Sequence, residues 1–280
     1  MAEQIVSTEW LAEHLDAPDI VVVDGSWHME ETGRDGYGEY LECRIPGAVH
    51  FDIDEISDEK SDLPHMLPAA EKFTIRMRRK GIGDGQRVVV YDSYGNFSAS
   101  RVWWMFKVFG HDDVVVLDGG LKKWLAEGRP VSDGPPRVRN ERHFTARFQS
   151  MLVRDIDDMR TIAKTGASQI IDVRSPGRFA GEEKEPREGL RSGHMPGALN
   201  LHYSTLVNED GTMKSRDELR ALFEAAGVDL GKPAVTTCGS GVTAAIASLA
   251  LDMLGHRNHP VYDGSWTEWG GLADTPIVTD

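Results

Sequence analysis

Of the two cysteines in the chain, Cys43 and Cys238, only the second stands where a thiol could do chemistry. It lies in Thr237-Cys238-Gly239-Ser240-Gly241-Val242-Thr243, a Gly-rich turn between two regular elements. The apolar run before it reads as a strand ending at Thr237. The stretch after it, Thr243 to Leu251, holds strong helix formers and no breaker. Cys238 is therefore expected at the carboxyl end of a strand, facing the first turn of a helix. In open α/β sheets that is where ligands bind. Backbone N–H groups left unpaired at the turn and helix start form an anion cradle, and such a field stabilises thiolate over thiol. A free cysteine is most often a small buried hydrophobe. The Gly-flanked strand-to-helix setting shifts the reading to a functional thiol.

Other chemistries fail on the same loop. A cysteine phosphatase needs an arginine six residues after its nucleophile, and Ala244 stands there. A nucleotide P-loop needs a Gly-Lys-Ser/Thr ending, which is absent. With no CxxC pair and no Cys/His ligand spacing, neither a metal nor a structural disulfide is expected.

The elements that must position Cys238 occur twice. Ile45-Pro46-Gly47-Ala48 recurs as Met195-Pro196-Gly197-Ala198, and Asp118-Gly119-Gly120 with Trp124 recurs as Asp263-Gly264-Ser265 with Trp269. A repeat this long indicates two copies of one domain. Short β-branched runs at Ile20–Asp24, Val88–Tyr91, Val114–Leu117, Gln169–Val173, Val235–Thr237 and Pro260–Tyr262 read as buried strands. Helical stretches such as Ala99 to Phe109 separate them, so each copy reads as an α/β domain with a mainly parallel sheet flanked by helices. Pro130, Gly134, Pro135 and Pro136 precede a basic, polar stretch. The expected division is a first domain at 1–136, a linker at 137–152 and a second domain at 153–280. The pairs Trp103-Trp104 and Trp266/Trp269 read as packing, and Asp172 with Arg174 as an internal ion pair.

At 280 residues the chain is long enough for two cores, and its net charge of −14 gives nucleic acid or an anionic membrane nothing to bind. A small anionic substrate needs arginines gathered locally. The acidic N-terminus does not read as a signal peptide, and no run approaches the ~18 apolar residues that span a bilayer. The cytoplasm is the expected location.

Together these residues resemble the rhodanese superfamily in its tandem form, over essentially the whole chain. The resemblance rests on the Pro-Gly-Ala pair, Arg101-Val102-Trp103-Trp104-Met105-Phe106, Asp172-Val173-Arg174 and Asp263-Gly264-Ser265-Trp266-Thr267-Glu268-Trp269. It implies a sulfurtransferase in which Cys238 carries sulfur as a persulfide, with no organic cofactor. The donor would be a small anion and the acceptor cyanide or a thiol such as reduced thioredoxin. Asp92 takes the place of Cys238 in the first copy, which implies a non-catalytic first domain. The neutral Cys-Gly-Ser-Gly-Val-Thr loop resembles the mercaptopyruvate branch of the family, whereas thiosulfate enzymes tend to carry Cys-Arg-Lys-Gly-Val-Thr. A sulfite leaving group gains from basic residues in the loop. A pyruvate enolate needs instead a carboxylate clamp, oxyanion stabilisation and a proton.

By that resemblance Arg178 and Arg187 clamp the donor carboxylate, and Gly239, Ser240, Gly241, Val242 and Thr243 cradle the persulfide. Ser240 and Asp35 match two members of a Ser-His-Asp proton relay. The histidine position is Arg44, which cannot shuttle a proton near neutral pH. His50 lies nearby in sequence, while His194 and Cys43 read as structural. Two rival readings remain: a thiosulfate:cyanide sulfurtransferase, and a non-catalytic rhodanese module that binds partners.

Overall fold

The structure, a computed structural model, describes residues 3–257 and 259–279. It divides into two compact units. The first holds the described residues up to Asp58, Leu67–Gln149 and Glu209–Met213. The second holds Glu59–Met66, Ser150–Asn208 and the described residues from Lys214 onward. Residues 137–149 pack as part of the first unit: Phe144 is fully buried, and Arg147 N and Gln149 N donate to the carbonyls of Phe109 and Val108 at 2.8 and 2.7 Å.

Each unit contains one five-stranded parallel sheet. In the first, β1 (Ile5–Val6), β2 (Ile20–Asp24), β3 (Val49–His50), β4 (Arg87–Tyr91) and β5 (Val114–Leu117) lie in the order β1-β5-β4-β2-β3. In the second, β6 (Val153–Arg154), β7 (Gln169–Asp172), β8 (Ala198–Asn200), β9 (Ala234–Thr237) and β10 (Val261–Tyr262) lie in the order β6-β10-β9-β7-β8. The two orders are the same, and the registers correspond: Val22 lies opposite Val89, as Ile171 lies opposite Thr236. The sequence repeat is thus a repeat of topology.

The central strands are the buried β-branched runs that the sequence marks, because helices cover both faces of a parallel sheet and leave no polar face. The edge strands β1, β3, β6 and β8 are short, and periodicity does not reveal them. The repeated Pro-Gly resolves the approach to two of them. Ala48 N donates to Ile45 O, and Ala198 N to Met195 O, each at 3.1 Å, with Gly47 and Gly197 at φ +75° and +73°. Both are turns with Pro and then a positive-φ Gly at the corner, the type II pattern.

The helix Ala99–Val108 is buried almost all round, Trp103 and Trp104 included, which is why its sequence lacks a polar stripe. Trp266 and Trp269 belong to the core of the second unit, with Met159, Ile170, Val235 and Tyr262. No helix among the described residues is long and apolar enough to cross a membrane.

Candidate active site

Cys238 follows β9 directly and opens the loop 238–243, which leads into the helix Ala244–Met253. The residue is 2% exposed. Thr243 at the helix N-cap makes no side-chain capping hydrogen bond, so its hydroxyl does not neutralise the first-turn N–H groups beside the loop. That end of the helix favours an anion.

The turn after β10 anchors the loop through its carbonyls. Trp266 N donates to Cys238 O at 2.9 Å, and Thr267 donates to Gly239 O through its N at 2.8 Å and its Oγ1 at 2.7 Å. Ser265 sits at φ +49°, a conformation unusual for a residue with a Cβ. Its hydroxyl explains why it is held there. Ser265 Oγ donates to Tyr262 O at 2.8 Å and accepts from Cys238 N at 3.3 Å. The amide of Cys238 is thereby fixed. With both carbonyls engaged, the peptide planes after Cys238 are fixed by these bonds.

Arg178 covers this loop. A Cβ built on Gly239 would lie 3.1 Å from Arg178 Nη2, so any side chain there would push the guanidinium back by a few tenths of an ångström. The helix Pro176–Ala180 presents it, capped by Ser175, whose side chain accepts from Arg178 N. Glu185 fixes its direction. This carboxylate, 1% exposed, accepts from Arg178 Nη2 and, at 3.1 Å, from Arg178 Nε. Its other oxygen accepts from Arg174 Nη1 at 2.7 Å. Arg174 in turn pairs with Asp172 at 2.6 Å and lies over the Trp266 ring at 4.0 Å. Asp172, Arg174, Glu185 and Arg178 therefore form a chain of alternating charge, buried except at its last member. Arg178 keeps 22% of its side chain exposed, the one guanidinium in the row free to meet an anionic ligand. His202 feels that charge: burial first, and Arg178 second, hold its pKa below the usual imidazole value.

The remaining candidates are placed less uniformly. Arg187 is exposed, and its Nη2 meets His65 Nε2 at 3.5 Å. Ser240 is buried, neither caps the following helix nor hydrogen-bonds through its side chain to another described residue. Gly241 lies at φ +79°. Asp35, in the first unit, is the N-cap of Gly36–Glu42 and accepts from Tyr37 N at 3.1 Å. Arg44 is buried and donates to the carbonyls of Tyr40, Gly134 and Asp133 at 3.1, 2.8 and 3.1 Å. It is a structural clamp for the chain after Pro130. His50 packs against the rings of Tyr37 and Tyr40, and burial lowers its pKa. His194 is also structural, stacked on Phe179 at 3.8 Å.

The first unit repeats the frame with different chemistry. Asp92 follows β4 as Cys238 follows β9, and Leu121 N donates to Asp92 O at 2.9 Å, as Trp266 N does to Cys238 O. Gly120 at φ +52° takes the place of Ser265. The Asp92 carboxylate accepts from the backbone N–H groups of Tyr94, Gly95, Phe97 and Ala99, at 2.9, 2.9, 2.6 and 2.8 Å. A built-in carboxylate thus fills the loop of the first unit.

Sequence reasoning missed Glu185, Ser265, Thr267, His65 and His202. Glu185 stands in sequence among Glu182, Glu183 and Glu188, and only its position between Arg178 and Arg187 could have marked it.

A model of the rhodanese-like domain matches residues 7–127 and again 155–272. The chain is 44% identical over 275 residues to the 3-mercaptopyruvate sulfurtransferase of Escherichia coli, covering 97% of this chain and 96% of that one. It is 43% identical over 272 residues to the thiosulfate sulfurtransferase of Bos taurus, covering 95% and 91%. The crystal structure of SseA from Escherichia coli, described as a 3-mercaptopyruvate sulfotransferase with the rhodanese fold, superposes with a TM-score of 0.87 at 42% identity, over 95% of this chain and 99% of that one.

Proposed function

The chain belongs to the rhodanese family, and from that premise we propose that it moves sulfur from 3-mercaptopyruvate to a thiol or cyanide acceptor through a persulfide on Cys238. The Cys238 thiolate attacks the donor sulfur. The carbon–sulfur bond breaks, its electron pair leaves on the pyruvate enolate, and protonation gives pyruvate. The outer sulfur stays on Cys238, beside the N–H groups of Gly239, Ser240, Gly241, Val242 and Thr243. In the second half-reaction an acceptor thiolate or cyanide takes that sulfur and restores the cysteine. Reduced thioredoxin is our candidate for the cellular acceptor, and the cytoplasm for the location.

One observation carries the choice of donor. The loop itself has no charged side chain, and the guanidinium against Gly239, that of Arg178, is aimed by a buried carboxylate. That is one planar fork for one carboxylate, which suits a 2-oxo acid better than a dianion with sulfite as leaving group. Arg187 is proposed as a second, outer contact. The proton for pyruvate is not assigned to Arg44, whose guanidinium is spent on three carbonyls. Asp35 and Ser240 remain the proposed relay members. The test is the ratio of kcat/KM for 3-mercaptopyruvate and thiosulfate with cyanide as acceptor. A ratio well above one is expected, and a preference for thiosulfate overturns the choice.

A further inference from the structure

The first unit carries a cavity of about 820 Å³ that the sulfur chemistry does not use. Its apolar wall includes Leu15, Pro18, Ile20 and Pro46. Facing it is the segment after Pro135, which contributes Arg137, Arg139 and Arg142. Arg44 also lines the cavity, but its guanidinium is committed to carbonyls, as above. The other three are not spent in this way. Arg139 Nη1 reaches only Gly47 O, at 3.5 Å, and among the described residues no carboxylate pairs with any of the three. Asp16 and Asp133 border the same space without doing so. Burial, then Arg142 and Arg137, lower the pKa of Arg139, so the charges it feels are of its own sign.

Three like charges held together in a chain of net charge −14 call for an explanation. Charge repulsion would spread them if the backbone were free. It is not free. A Cβ on Gly81 would lie 2.7 Å from Arg139 Cβ, and one on Gly83 would lie 3.0 Å from Arg142 Cβ. Asp84 N donates to His143 O at 2.9 Å, and Thr145 N donates to Asp84 Oδ1 at 2.9 Å. The backbone that carries Arg139 and Arg142 is thus fastened to the turn at 81–84, so the side chains start from fixed points along the cavity, which lowers the cost of binding.

We propose that this cavity binds a small molecule bearing a diphosphate, with an organic body against the apolar wall. A single carboxylate would leave two guanidiniums uncompensated, whereas a diphosphate offers several oxygens to planar forks. The volume is that of a site for a small organic ligand. The proposal is independent of the sulfur donor.

Titration calorimetry on the full chain at constant ionic strength, with ADP, inorganic pyrophosphate, adenosine and sulfate as probes, tests it. ADP and pyrophosphate are expected to bind and adenosine not to. Arg137 and Arg142 are exposed, so the double variant R137S/R142S should fold, keep its sulfur transfer rate and bind both diphosphates at least tenfold more weakly. Arg139→Gln should weaken them as well. Absence of heat with both diphosphates, equal binding of sulfate and pyrophosphate, or affinity that survives the double substitution overturns the proposal.

Discussion

Asp92 and Cys238 occupy one topological position, the first residue after the fourth strand of each unit, and each has its carbonyl held at 2.9 Å by the amide that follows a positive-φ corner. The difference lies in what the loop amides address. In the first unit four of them converge on one carboxylate, using both of its oxygens. An asparagine there would turn an NH₂ group toward two of those donors. Asp92→Asn is expected to destabilise the protein by roughly 2–4 kcal/mol, since buried donors lose a charged acceptor. Urea denaturation measures this, and a loss below about 1 kcal/mol would show that the amides do not depend on the carboxylate.

In the second unit the corresponding place is proposed to hold the persulfide sulfur. Treatment with 3-mercaptopyruvate should add about 32 Da, one sulfur atom, to the intact protein. Cys238→Ser should abolish both the adduct and turnover, while Cys43→Ser should change neither. Cys43 is the C-cap of the helix Gly36–Glu42, and burial raises its thiol pKa, so it holds less thiolate at neutral pH. An adduct that persists without Cys238 would remove the chemistry from this loop, and no adduct at all in the unaltered protein would favour a binding module.

Arg178 and Glu185 separate positioning from contact. Arg178→Ala leaves Glu185 still paired with Arg174, so the fold should survive while KM for 3-mercaptopyruvate rises at least tenfold. Glu185→Gln leaves Arg174 and Arg178 short of their shared carboxylate, and removal of one partner from a buried pair costs about 3–5 kcal/mol. Its Tm should fall as well as its KM rise. Equal effects of the two changes on Tm would deny Glu185 its aiming role.

Ser265 is a test of the strained corner. Ser265→Ala keeps the unusual φ and loses all three hydroxyl bonds, the one from Thr237 Oγ1 at 3.4 Å included, so kcat should fall and stability should drop by about 1–3 kcal/mol. Ser265→Gly relieves the backbone as Gly120 does in the first unit, yet still leaves Cys238 N without its acceptor. The glycine variant should therefore recover stability but not kcat, as steady-state kinetics and thermal melts on both variants would show.

How far the sequence reached follows from what each signal encodes. The central strands and the helix Ala99–Val108 were legible because burial on all sides writes continuous apolar runs. The edge strands are two or three residues long and carry no period. The Cys238 loop was legible because glycine spacing reports backbone conformation directly. Glu185 was not, because a buried carboxylate between two arginines looks in sequence like any acidic surface stretch. Ser265 was not, because the repeat places it over Gly120 and hides that a hydroxyl has replaced a hydrogen. The three arginines of the first unit read as a linker, since only the fold shows the wall they face.

Asp24, at the end of β2, makes the stability of the first unit depend on pH. Burial is the main cause that pushes its pKa up to about 6, against the opposing hydrogen bonds from Ser26 and Tyr91, with Asp92 adding to the rise. In the unfolded chain the group titrates near 3.9. Between these values the folded state holds the proton more tightly, so stability is greatest below about pH 4 as far as this group is concerned, and falls as pH rises through 6. A shift of about two units corresponds to roughly 3 kcal/mol of differential interaction. Asp24→Asn keeps an acceptor for Ser26 N and carries no charge at any pH. The variant should therefore be the more stable protein at pH 7–8, by about 1–3 kcal/mol, and the gap should close toward pH 4. Urea midpoints of both proteins from pH 4 to 8 measure the gap, and one that stays constant across that range would show that Asp24 does not titrate as its burial requires.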